Sequence, residues 1–166
     1  MRTMLAILLA AALAAASAAS AEGPRRGAPK EPWATVNVCD TQAHPNEMGI
    51  RAAMHGLARR TRMLMRFRVQ YKTLNGTWQL VDGAFADSGW RRVASGRRGE
   101  HDAGHTFSFD APPADRGAYE LRGVVSFQWR RAGRVVERDR RNTEAGHPGT
   151  VGADPAGFSA ANCLIA

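Results

Sequence analysis

The residues best placed to do chemistry in this chain are His101-Asp102-Ala103-Gly104-His105, two imidazoles and a carboxylate within one short stretch. These are metal-ligand types, but zinc needs three or four convergent donors. A Gly-containing turn is expected to hold the two histidines apart, and no third ligand is evident. His44 and Glu47 form the other near pair. Serine nucleophiles are no better supplied, because Ser88-Gly89 and Ser95-Gly96 lack the Gly-x-Ser-x-Gly elbow that presents an activated hydroxyl. Glu137 and Asp139 stand two apart in an arginine-dense run and read as ion-pair partners of Arg138 or Arg140, not as a general acid and base. The expectation is a non-enzyme with no catalytic residue, no metal site and no cofactor.

The cysteines, Cys39 and Cys163, take their meaning from the compartment. Residues 1–21 open with Arg2, continue as an apolar run from Met4 to Ala16, and end in Ala19-Ser20-Ala21. A positive start, a hydrophobic stretch and a small-x-small ending are the parts of a secretory signal, with cleavage expected after Ala21. The run is too short for a transmembrane anchor, which takes about 20 apolar residues. The product is therefore expected to be secreted or periplasmic, with no membrane span in the mature chain. In an oxidising destination, an even pair with no metal-ligand spacing is most simply a disulfide. The rival is a pair of free buried thiols.

The chain carries 23 basic and 15 acidic residues, a net charge of +8, and only Lys30 and Lys72 among the basic residues are lysine. Guanidinium groups suit planar carboxylate and phosphate partners better than ammonium does. Specific nucleic-acid readout is not expected, since the aromatics fall at core positions and not in a stacking platform. Trp33, Trp78, Trp90 and Trp129 read as core or rim packing; a carbohydrate-binding strip would need several exposed and coplanar.

The elements that must position these groups are strands. After a Pro- and Gly-rich leader over 22–32, a single domain is expected over 33–166. Met63, Met65, Phe67, Val69 and Tyr71 alternate with Leu64, Arg66, Arg68, Gln70 and Lys72. Tyr119, Leu121, Gly123, Val125, Phe127 and Trp129 alternate with residues that are mostly polar. Period two over such lengths predicts half-buried antiparallel strands. Shorter strands are predicted over 33–40, 48–54, 77–82, 90–95, 105–111, 134–142 and 158–165. Asn75-Gly76 and Ala132-Gly133 fall where hairpins turn. A helix-like stretch lies around 52–60, interrupted by Gly56. Many short strands with Gly and Pro turns predict an all-β sandwich, with an unrelated barrel as the alternative.

Asp115-Arg116-Gly117-Ala118-Tyr119-Glu120-Leu121 resembles the tyrosine-corner segment of immunoglobulin domains, with Leu121 where those domains place a cysteine. Val69-x-Tyr71 followed by Trp78 is similar to the third-strand region of fibronectin type III domains. The resemblance covers roughly 33–143 and implies an antiparallel immunoglobulin-like β-sandwich of about 7–9 strands. It gives Tyr119 and Asp115 structural roles, the Tyr119 hydroxyl bonding back to the preceding loop. It also implies that the loops after 48–54 and after 119–130 share one pole. Arg59, Arg60 and Arg62 belong to the first, and Arg130, Arg131 and Arg134 to the second. Arg97 and Arg98 join them if 77–95 makes an odd number of strand passes, and the cluster splits otherwise. The expected function is a secreted binding or envelope-associated structural module whose arginine pole meets an acidic protein or polyanionic surface. A carbohydrate-binding module using exposed Trp78 or Trp90, or a secreted hydrolase, are the alternatives.

Overall fold

The computed structural model describes residues 31–166. The predicted signal peptide and most of the leader lie outside the described residues. Nine strands follow in chain order: β1 (Trp33–Cys39), β2 (Glu47–His55), β3 (Thr61–Lys72), β4 (Trp78–Leu80), β5 (Arg91–Gly96), β6 (Glu100–Ser108), β7 (Tyr119–Arg131), β8 (Arg134–Asn142) and β9 (Asn162–Ile165). One 3₁₀ turn, Ala84–Ala86, is the only helical element among the described residues. The predicted all-β, antiparallel class is what forms. The helix-like reading of 52–60 is corrected: β2 runs on to His55, because Ala52 and Met54 are needed in the core, and a loop follows.

Two sheets pack face to face. One has the order β1-β2-β6 and the other β4-β3-β7-β8, with β5 also pairing β3 and β9 also pairing β7. The two long alternating runs become the central strands β3 and β7, paired from Arg62↔Arg130 to Tyr71↔Leu121. Their inward residues Met63, Met65, Phe67, Val69, Leu121, Val125 and Phe127 meet Val36, Met48, Ile50, Met54 and Phe107 from the smaller sheet. Four of these are methionines, whose unbranched chains fill irregular gaps between twisted sheets. The sheets come close at Gly123, where a Cβ would lie 2.6 Å from Ile50 Cδ1 and from Thr143 Cγ2.

Strands β4 and β5 are two halves of a single pass. Residues 70–72 of β3 pair with β4, and 61–65 pair with β5. Between the halves the chain leaves the edge through the 3₁₀ turn. It is pinned there by Ser88, whose N–H donates to the Phe67 carbonyl (3.0 Å) while its Oγ accepts from Phe67 N–H (2.9 Å). One pass is an odd number, so the β5–β6 turn returns to the pole where β3 began.

After β8 the chain crosses as a strap over the outer side of the smaller sheet. Ser159 Oγ lies 2.8 Å from Thr35 Oγ1, the Asn37 amide donates to the Gly152 carbonyl at 3.1 Å, and Val36 and Ala160 exchange backbone hydrogen bonds. Thr35 and Asn37 are buried beneath it. The strap then delivers β9 to the larger sheet, where Cys163 bonds Cys39 with a Cα–Cα distance of 5.4 Å. The disulfide expected from the sequence is formed, and no free cysteine remains among the described residues.

Candidate anion-binding site

The β7–β8 turn has only two residues, Ala132 and Gly133, both at positive φ (47° and 79°). That geometry matches the right-handed twist of the strands it joins, and it brings Arg131 directly opposite Arg134. Beside it, the β2–β3 loop is bonded to the β5–β6 turn. Arg98 N–H donates to the Leu57 carbonyl (3.0 Å) and Gly56 N–H to the Gly99 carbonyl (2.9 Å). Three connections therefore meet at one end of the sandwich, and each carries arginine: Arg59 and Arg60, Arg97 and Arg98, and Arg131 with Arg134.

Arg60, Arg62, Arg130 and Arg131 line one open depression of about 380 Å³ with Thr61, Ser95, Ala132 and Gly133. Arg92 completes it, and sequence reasoning left Arg92 out. Its signal was the register: a bulge in the β3–β5 ladder sets Arg92 opposite Leu64 and so on the outer face, where the depression opens. Arg59, Arg97, Arg98 and Arg134 are exposed at the same end but do not line the depression. Among the described residues, no carboxylate lies in ion-pair range of any of these nine guanidinium groups. Arg130 Nε donates instead to the neutral Gln128 Oε1 at 3.1 Å.

Further along the outer face of the larger sheet the arginines are more deeply seated. Arg66 makes a bidentate pair with Asp87, and that hydrogen bond holds the Asp87 carboxyl below its usual range despite partial burial. Arg68 has no such partner: its Nε is buried without a hydrogen bond among the described residues. Burial, and then the charges of Arg66 and Arg140, pull the Arg68 pKa down. Arg122 is lowered by burial and by Arg140, and it lies 4.4 Å over the Trp78 ring while its Nε donates to Gln70 Oε1 at 2.8 Å.

The remaining candidates are distributed elsewhere. The histidine segment lies inside β6, not around a turn, because β6 begins at Glu100 and alternation turns the two histidines inward while Asp102 points out. His105 packs on Phe67 and Phe107, and burial, with Arg91 second, lowers its pKa. His101 Nε2 is buried without a hydrogen-bond partner. Asp102 pairs with Arg51, and His55 with Glu100 at 3.3 Å. His44 Nδ1 lies 3.0 Å from Glu47. Among the described residues no group of three or more metal-ligating side chains converges.

Asp139 pairs with Arg141 at 2.9 Å, not with the side chains of Arg138 or Arg140, since i and i+2 share a strand face and i±1 do not. The tyrosine-corner bond is also corrected. Tyr119 packs against the core where β7 begins, but its hydroxyl makes no hydrogen bond among the described residues; Asp115 is exposed in the preceding turn, whose bond runs from Arg116 N–H to the Pro113 carbonyl (2.9 Å). The corner is held instead by β9, which pairs Tyr119 with Ile165 and Leu121 with Cys163.

The tryptophans do not form a strip. Trp129 is buried and donates its Nε1–H to the His55 carbonyl at 2.7 Å, Trp33 stacks on His147 at 4.1 Å, Trp78 lies under Arg122, and Trp90 is exposed. No helix among the described residues is long and apolar enough to cross a membrane. The fold and site thus define an all-β, two-sheet antiparallel domain with a basic pole. No protein-family model matches the chain, and no curated protein matches it.

Proposed function

We propose that this is an exported, immunoglobulin-like binding or envelope-associated structural module that engages an anionic partner through its arginine pole. The observation that carries the reading is the depression lined by Arg60, Arg62, Arg92, Arg130 and Arg131, with no carboxylate paired to any of them among the described residues. Arginines that only solubilise a surface are normally interspersed with acids. Several unneutralised guanidinium groups around one concavity create a focused positive field, which draws anions and weakens with salt. The strand order β1-β2-β6 against β4-β3-β7-β8 supports the immunoglobulin-like assignment, since it matches an A-B-E sheet facing a C-F-G sheet extended at strand C.

Retention on a heparin column tests the reading. The full chain is expected to be retained and to elute well above physiological salt, and the Arg60, Arg62, Arg130, Arg131→Ser variant to elute much earlier. Equal elution of the two proteins would end the claim for the pole.

A further inference from the structure

We infer that the outer face of the larger sheet is a track for a linear polysaccharide bearing carboxylate or sulfate groups, entered from the arginine pole. The inference rests on the reading of the pole as an anion site and adds both a second surface and a class of partner.

Directly opposed residues of an antiparallel ladder share a face, so the register writes out the surface row by row. Arg130 stands between Arg62 and Val135; Gln128 between Leu64 and Arg138; Ser126 between Arg66 and Arg140; Val124 between Arg68 and Asn142; and Arg122 against Gln70. From the Arg62 row to the Gln70 row the face extends about 27 Å, at ~3.4 Å per residue. The positive charge of the pole therefore continues down the sheet and does not stop at the loops. Along these rows Arg66 alone has a carboxylate partner among the described residues, Asp87. At the centre, Arg66, Arg68, Arg122 and Arg140 crowd one another, and Arg68 keeps a buried Nε–H without an acceptor among the described residues. Like charges held this close are unfavourable until counter-charge arrives. An anion lying across the rows would relieve the repulsion.

The same rows select among polyanions. Guanidinium forks match the planar or tetrahedral oxygens of carboxylate and sulfate. A nucleic acid would want a row of open aromatic rings for its bases, but Trp78 is capped by Arg122 at 4.4 Å and the exposed Trp90, just before β5, is a single ring. An acidic protein would want an exposed apolar anchor at the centre of its footprint, yet the central Val124 is fully buried beneath its neighbours and Leu64 is half-buried between arginine rows. A hydrated, unbranched chain with charges spaced along it asks for neither.

The test uses the full chain and heparin-derived oligosaccharides, short and long, with single-stranded DNA and polyglutamate of matched charge as rivals. Binding is followed by calorimetry at several salt concentrations. One variant alters the face (Arg68→Gln, Arg138→Gln, Arg140→Gln) and another the pole (Arg60→Ser, Arg131→Ser). The long oligosaccharide is expected to bind more tightly than the short one. The face variant should lose roughly tenfold for the long chain, with a shallower salt dependence, and little for the short one. The pole variant should lose affinity for both. If the face variant binds the long chain like the parent while the pole variant is weakened, the track is wrong and the pole stands. If neither variant is weakened, both readings fall. Binding of DNA or polyglutamate as tight as the long oligosaccharide would overturn the choice of polysaccharide. Near-UV circular dichroism checks folding, and Arg140→Gln alone, at an exposed position, serves if the triple variant is perturbed.

Discussion

Arg62 on β3 and Arg130 on β7 face each other directly across the central ladder of the larger sheet, a like-charge pair where opposite charges or an apolar pair would hold better. Neither has a carboxylate in range among the described residues. The arrangement costs stability and concentrates charge at the mouth of the pole.

Converting that pair to opposite charges should therefore stabilise the fold while weakening the site. Arg62→Glu is expected to gain about 0.5 kcal/mol in chemical denaturation. The parent protein should be stabilised by added salt more than the variant, because salt screens a repulsion in the parent and an attraction in the variant. Loss of stability in Arg62→Glu at low salt would contradict the account.

His105 should give the fold a pH dependence on the acid side of neutrality. Burial against Phe67 and Phe107, with Arg91 nearby, depresses its pKa, so the folded protein favours the neutral ring. The unfolded chain then binds the proton first, and stability falls as pH drops below the ordinary value of 6.5 toward the depressed folded value. His105→Leu should flatten this fall, read as denaturation midpoints between about pH 7 and pH 5. An unchanged slope would show that the imidazole does not titrate differently on folding.

The disulfide bridges a sequence separation of 124 and should contribute up to about 5 kcal/mol through the chain entropy it removes from the unfolded state. Native strain subtracts from that figure. Replacing Cys39 and Cys163 by serine is expected to lower the guanidinium midpoint sharply while leaving the strand content unchanged. The intact protein should show two fewer hydrogens by non-reducing mass measurement than after reduction.

The two central strands were legible because their alternation is long and their inward residues are large: Phe67 and Phe127 can sit on only one face. Strand β6 was not. It was expected over 105–111 and lies at Glu100–Ser108, since an edge strand of His, Asp, Gly and Ala carries no row of aliphatics to mark its core face. The basic pole was foreseeable residue by residue from the loops, but its coherence hung on the single pass made by β4 and β5. A short-range pattern does not encode that parity; Ser88 fixes it by bonding back to Phe67. Arg92 escaped notice for a related reason, because its face is set by a bulge. The strap between β8 and β9 has no periodicity to read, and its placement comes from polar bonds to Thr35 and Asn37 that only the folded neighbourhood reveals.

The same strap and its disulfide also decide how the molecule would carry a mechanical load. Tension drawn between Trp33 and Ala166 can peel β1 and the last residues only as far as Cys39 and Cys163. From there the force runs through the sulfur bridge, and the chain between the two cysteines, which carries β2 to β8 and the whole basic face, lies outside the loaded path. A domain tethered at both ends would keep its binding surface in shape under pull, for as long as the bridge stays oxidised.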